Sequence, residues 1–201
     1  MSDPAVIAFP FACVILAAGA GARFGQPKAV AEVAPGVRFL DRVIESALHT
    51  GAAPILAVVP TGVTVPAPAR AVERPLSGDE QIESLRHALG LLTNSPAVGA
   101  LVWPVDRPFA TVESALAVVD AARRTGAPIV VPTLRGRRGH PTWFARDSWR
   151  DLMVVRDGGA RSVVRAYGNR VVEVDVADEG ILLDVNTADD LAAGLVGRRP
   201  E

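Results

Sequence analysis

Apolar residues are distributed along this chain in two alternating patterns. The short runs CVILA at 13–17, ILAVV at 55–59, ALVWPV at 100–105, IVVP at 129–132 and VVEVDV at 171–176 are rich in β-branched residues and predict strands. Between them the apolar positions return every three or four residues. Leu40, Val43, Ile44, Ala47 and Leu48 mark one helical face, and Ile82, Leu85, Leu89 and Leu92 mark another. Gly51 stands where a glycine follows the last turn of a helix, and Thr111 stands where it caps the start of VESALAVVDAARR. Thr187 with Asp190 resembles a capping box ahead of a final helix, ADDLAAGL. Continuous apolar strands joined by helical crossovers predict a three-layer α/β/α fold with a mostly parallel sheet. In such sheets the ligand lies beyond the carboxyl ends of the strands.

The proline-rich stretch 60–70, PTGVTVPAPAR, reads as a surface loop rather than a domain boundary, and 134–140, LRGRRGH, is the second conspicuous loop. No internal repeat interrupts the pattern. A length of 201 residues fits a single domain over residues 1–201, with a structured core over about 12–195. Asp plus Glu number 22 against 21 Lys plus Arg, so no global field steers the chain to nucleic acid or to an anionic membrane. Any anion must be held locally. Cys13, the single cysteine, lies in an apolar run and reads as a small core residue. Asp3 and Pro10 argue against reading 5–20 as a signal peptide, and no apolar stretch is long enough to span a bilayer, so a soluble cytoplasmic protein is expected.

The chemistry concentrates first in CVILAAGAGARFGQPK at 13–28, an apolar strand entering a glycine-rich loop with Arg23 and Lys28. Gly19, Gly21 and Gly25 are expected to take positive φ and bring backbone N–H groups close to phosphate oxygens, with a helix following the loop. The loop is not a Walker A motif, because Gly25 is followed by Gln26-Pro27-Lys28-Ala29, with no Gly-Lys-Ser/Thr. A dinucleotide fingerprint fits poorly, since Phe24 occupies the place of its third glycine. A plain strand-to-helix turn with solvated cations is the remaining alternative.

LAAGAGARFGQPK resembles the signature of the MobA/MocA-like nucleotidyltransferases, the molybdenum-cofactor branch of the nucleotide-diphospho-sugar transferase (GT-A) fold. The likeness continues in order through ESLRHAL at 83–89, VDRP at 105–108, RGHP at 138–141, DGGAR at 157–161 and DVNTADDL at 184–191. Fold, reaction and site follow as implications. A nucleoside triphosphate would be bound by Leu16, Ala17, Ala18, Gly19, Gly21, Arg23, Gly25, Lys28 and Ser84, with Arg23, Lys28 and Asp106 acting in catalysis. Asp106, at the end of an apolar strand, would hold Mg2+, a cation that takes one or two protein oxygens and fills its other positions with phosphate and water. The second ligand is Asn186 or Asp184, and alignment with related pyrophosphorylases favours Asn186. Both also read as turn residues before the last helix.

The implied reaction is attack by an acceptor phosphate on the α-phosphorus of the triphosphate, with pyrophosphate leaving. Leu-Ala-Ala-Gly and Pro-Lys are typical of the cytidylyl branch of the family. A methyl at Ala18 would narrow the base pocket, so CTP is favoured over GTP. Arg135, Arg137 and Arg138 concentrate positive charge, and Arg138, Gly139, His140 and Arg161 are the candidate acceptor residues. The resemblance suggests a molybdopterin-type acceptor, and a molybdoenzyme maturation partner belongs to the same implication. His140 either contacts the acceptor or fixes its loop. Glu80 and Glu83 depart from the family pattern, and two carboxylates facing a triphosphate would oppose its binding. Trp103, Trp143 and Trp149 read as packing residues. A sugar phosphate as acceptor, or a non-catalytic nucleotide- or cofactor-binding protein of the same fold, are the competing functions.

Overall fold

Ala12–Leu16 has no polar face to offer water, so the strand it forms must be covered on both sides. The computed structural model describes residues 9–19, 21, 24–74 and 81–196. Its strands in chain order are β1 (Ala12–Leu16), β2 (Glu32–Ala34), β3 (Val37–Arg38), β4 (Ile55–Pro60), β5 (Arg70–Arg74), β6 (Gly99–Pro104), β7 (Ile129–Leu134), β8 (Arg137–Arg138), β9 (Thr142–Ala145) and β10 (Val171–Asp175). The helices are α1 (Phe39–His49), α2 (Gln81–Leu91), α3 (Val112–Thr125), α4 (Trp149–Val154), α5 (Gly159–Tyr167) and α6 (Ala188–Val196).

The main sheet runs β10-β7-β9-β6-β1-β4-β5, with β8 paired to β7. β1 is flanked in parallel by β4 and β6, so Cys13 stands opposite both Ile55 and Leu101. β9 is antiparallel to β6 and β7, while β10 is parallel to β7, which gives the mostly parallel mixed sheet expected. Side chains of β1 alternate between two cores. Cys13 and Ile15 join Phe39, Leu40, Val43 and Ile44 of α1 and Ala115, Val118 and Ala122 of α3. Ala12, Val14 and Leu16 join Ile82, Leu85 and Leu89 of α2, Leu152 of α4 and Val163 and Tyr167 of α5. The molecule is therefore a three-layer α/β/α fold. Each of the buried valine, leucine and isoleucine side chains contributes roughly 1.5–3 kcal/mol by leaving water.

The helix ends follow their local signals. Gly51 has φ +79° and donates its N–H to Leu48 O, and Thr111 Oγ1 accepts from Ser114 N at the start of α3. Thr187 N donates to Asp190 Oδ2 and Asp190 N donates back to Thr187 Oγ1, so the capping box is present. Cys13 is fully buried, and burial pushes its thiol far up from the ordinary value. All three tryptophans are buried packing residues, and Trp149 Nε1 donates to Phe144 O. Among the described residues, no helix is long and apolar enough to cross a membrane.

Several features differ from the pattern-based expectation. The glycine loop is not followed directly by a helix, because a turn at 28–30 and the antiparallel ribbon β2–β3 precede α1. Pro35-Gly36 reverses that ribbon, with Gly36 at φ +74°. Leu48 is exposed, so the buried face of α1 ends at Ala47. β5 and β9 carried no strand signal: RAVER is a charged edge, and TWFA is a short strand with no clear alternation. The segment 134–140 is a hairpin turn whose central Arg135 and Gly136 both have positive φ, which matches the twist of the strands it joins.

The topology fixes where a ligand belongs. From β1 the chain moves outward through β4 to β5 and then returns to β6 on the other side of β1. The order reverses between β1 and β6, and the crevice beyond their carboxyl ends is the switch point of the sheet.

Candidate active site

The loop after β1 opens at this switch point. Ala17 N donates to Val58 O while Leu16 O accepts from Val105 N, so the strand end is tied to both neighbours just before the chain turns away. Ala18 is half-buried and Gly19 exposed. Gly21 and Gly25 take positive φ, +60° and +82°, whereas Gly19 does not, which corrects the expectation for that residue. The reason at Gly21 is also steric: a Cβ there would lie 2.0 Å from Gln26 O. Phe24 N closes the turn onto Gly21 O, and the Phe24 ring packs edge-on against Phe39 of α1. Arg23 lies outside the described residues, as does Glu80.

Lys28 ends the loop and points into a cluster of oxygens. Its Nζ donates to Asn186 Oδ1 at 2.7 Å and to Asp106 Oδ2 at 3.3 Å. The lysine side chain is 12% exposed and that of Asp106 25%. Asp106 follows β6, and Val185 N donates to its carbonyl, which draws the 184–186 segment against the strand end. Asp190 Oδ2 accepts from Asn186 N and Thr187 N, so the last helix's capping carboxylate also holds the backbone of Asn186. Burial pushes the Asp106 carboxyl above its ordinary value, and the charge of Asp184 adds to the rise while Lys28 opposes it. Those backbone bonds and the neighbouring Thr187 hydroxyl hold Asp190 below the usual carboxylate range.

Asp106, Asp184 and Asn186 thus supply only oxygen donors, with Asp184 close enough to disfavour the charge of Asp106. That donor set suits a hard divalent cation such as Mg2+ or Mn2+, which needs few protein ligands when phosphates complete its shell. Among the described residues there is no cluster of three or more His, Cys, Asp or Glu, so a larger protein cage is absent there.

Beside this cluster lies a cavity of about 710 Å³. Its floor is apolar, with Leu16, Val102, Val131 and Phe144 from the sheet and Ile82 and Leu85 from α2. Its polar wall brings together all four candidate acceptor residues, Arg138, Gly139, His140 and Arg161, together with Arg107 and Arg165. Gly139 permits a close approach, since a Cβ would stand 2.4 Å from Ile181 O. Gly139 N donates to Pro132 O and His140 N to Ile181 O, which fixes the loop against the 3-10 turn Glu179–Ile181. The His140 ring nitrogen Nδ1 lies 3.3 Å from Thr142 Oγ1. Burial lowers its pKa to about 4, and the charges of Arg107 and Arg161 push the same way. His140 therefore enters the cavity as a neutral imidazole.

Other residues stand apart from this cavity. Ser84 sits half-buried on α2 and does not line the cavity. Its neighbour Glu83 pairs with Arg86, whose Nε donates to Leu152 O, so the Ser-Leu-Arg segment buttresses α4. Arg135 and Arg137 are exposed at the hairpin and away from the cavity, while Arg138 also pairs with Glu173 at 2.7 Å. Arg165 was not singled out by sequence reasoning. The signal was present, since it lies four residues after Arg161 on one face of α5. Arg107 stands in the sequence only as the middle residue of the Asp-Arg-Pro turn.

Comparison with known proteins agrees with this arrangement at the level of family and fold. No curated protein matches the sequence. The fold is shared with Rv0371c of Mycobacterium tuberculosis at TM-score 0.81 and 23% identity, covering 94% of this chain and 100% of that one. A second structure of Rv0371c, at TM-score 0.76 and 21% identity over 94% and 100% of the chains, is a complex with manganese. A nucleotidyl transferase from Methanothermobacter aligns at TM-score 0.76 and 18% identity over 95% of this chain and 100% of its own. The 2-C-methyl-D-erythritol 4-phosphate cytidylyltransferase of Thermus thermophilus aligns at TM-score 0.68 and 20% identity over 93% and 98%. A family model described as the MobA-like NTP transferase domain matches residues 13–171, and the chain belongs to that family.

Proposed function

We propose that the protein transfers a nucleoside monophosphate from a nucleoside triphosphate to a phosphorylated small molecule, with a divalent cation, Mg2+ for preference, and release of pyrophosphate. The observation that carries this reading is the convergence of Lys28, Asp106 and Asn186 at the switch point of the sheet, from positions far apart in sequence. Asp106 with Asn186, or with Asp184, would hold the cation, which supplies charge neutralisation at the phosphates when bound. The loop backbone from Leu16 to Gly25 would cradle the triphosphate, with Lys28 and Arg23 neutralising the leaving pyrophosphate. An acceptor phosphate is nucleophilic at neutral pH, so these residues need only align it and shield the charge that develops.

CTP is the favoured donor, because Ala18 packs against the α2 side of the core, and a methyl group at the strand end would narrow the space for a purine. The acceptor would occupy the cavity, with its anionic group among Arg107, Arg138, Arg161 and Arg165 and its body on the apolar floor. A molybdopterin-type molecule has this combination, and the MobA-like family supports it. A small polyol phosphate is the second reading, favoured by the similarity in fold to 2-C-methyl-D-erythritol 4-phosphate cytidylyltransferases. The reading is tested by incubating the protein with each triphosphate, Mg2+ and candidate acceptors and measuring pyrophosphate. Release that depends on one acceptor and is fastest with CTP is expected. A clear GTP preference refutes the donor assignment, and tight nucleotide binding without release from any acceptor favours a binding protein.

A further inference from the structure

Arg107 stands between the two halves of the site. Trp103 Nε1 donates to its carbonyl, which fixes the backbone, while its Nη1 donates to Ile181 O at 3.1 Å and its Nη2 lies 3.5 Å from Asp184 Oδ2. Arg107 also lines the cavity, and its charge is felt by His140 across that wall. Its side chain is only 15% exposed, whereas that of Asp184 is 48% exposed. A guanidinium offers five N–H donors in a rigid fork, and it suits a phosphate better than a single carboxylate oxygen at this distance.

We propose that Arg107 binds the phosphate of the acceptor, and that its ion pair with Asp184 sets when it does so. The inference rests on the nucleotidyltransferase reading. With no cation on Asp184, that carboxylate competes with the acceptor for the guanidinium. A divalent cation that draws on Asp184 weakens the pair and leaves Arg107 to the cavity. Lys28 stands in the same relation to Asp106 and Asn186 on the triphosphate side. Each internal cation is held by oxygens that a metal would claim, so metal binding and anion binding favour each other, and by linkage the effect is equal in both directions.

The experiment measures equilibrium binding by the full chain. Inorganic phosphate is titrated calorimetrically in the presence of a chelator. Asp184→Asn should tighten phosphate binding about fivefold, the size of one partly exposed ion pair. That gain should vanish when Arg107→Gln is combined with Asp184→Asn, and persist when Arg107→Lys is used instead. An equal gain in the combined Gln variant overturns the proposal, because Asp184 would then act only as a nearby negative charge. In the reverse direction, Mn2+ followed by electron paramagnetic resonance should bind Arg107→Gln about fivefold more tightly than wild type. Unchanged or weaker Mn2+ binding also overturns it. If the variants show these linked responses while the wild-type protein releases no pyrophosphate with any acceptor, the transferase reading is refuted and the role of Arg107 in binding anions stands.

Discussion

Acidification should destabilise this protein through one imidazole. His140 has its pKa lowered from 6.5 to about 4, first by burial and then by the charges of Arg107 and Arg161. As pH falls, the unfolded chain therefore takes up a proton that the folded chain refuses. The stability associated with neutral His140 is present above about pH 6.5 and is lost progressively down to about pH 4. At roughly 1.4 kcal/mol per pKa unit, the full loss approaches about 3 kcal/mol, and about 2 kcal/mol of it is gone by about pH 5. Urea unfolding of wild type and His140→Gln at about pH 7.5 and pH 5 isolates the effect. The variant should lose less stability between the two, by about 2 kcal/mol, which is a midpoint difference of about 1 M urea. Asp41 and Asp190, both held below the usual carboxylate range, and Asp106, held above it, are common to both proteins and cancel in the comparison. Identical pH dependence in the two proteins refutes the claim that the fold holds this ring neutral.

Lys28→Ala or Asp106→Ala should lower pyrophosphate release by about two orders of magnitude, the usual cost of losing a positioned electrostatic partner, and near-normal turnover would remove that residue from the proposed chemistry. Gly139→Ala should cost about 1–3 kcal/mol in calorimetric unfolding, because its methyl group would collide with the backbone of Ile181; an unchanged melting temperature would mean that the 3-10 turn yields freely. Thr111→Ala removes the hydroxyl that accepts from Ser114 N and donates to Asp178 Oδ2, so a loss of about 1 kcal/mol in urea unfolding is expected, and no loss would show that Asp178 caps the helix unaided.

The buried strands of the sheet were legible because a strand covered on both faces must be apolar throughout, as ACVIL and GALVWP are. β5 was not, because an edge strand tolerates charge, and RAVER buries only Val72. The helix ends were legible at Gly51, Thr111 and Thr187, where the cap chemistry is local in sequence. The site divides in the same way. Lys28 and Asn186 are 158 residues apart, and no local rule joins them; family resemblance singled both out, and their contact is a product of topology. Arg107 escaped notice because a charged residue in a turn is usually solvated, and only the folded chain reveals that this one faces Asp184 and the cavity together.

One carbonyl oxygen carries more of this arrangement than its position in a 3-10 turn suggests. Ile181 O accepts from Arg107 Nη1 and from His140 N, and it is the atom that a side chain at Gly139 would strike. The Asp-Arg-Pro turn and the Gly-His-Pro loop therefore hang from the same point of backbone. The width of the cleft between them is set by the segment that delivers Ile181, and neither wall can shift alone without breaking a hydrogen bond. In the proposed transferase, discrimination by acceptor size would thus be a property of the main chain, while the arginine side chains of the wall would select among anions of that size.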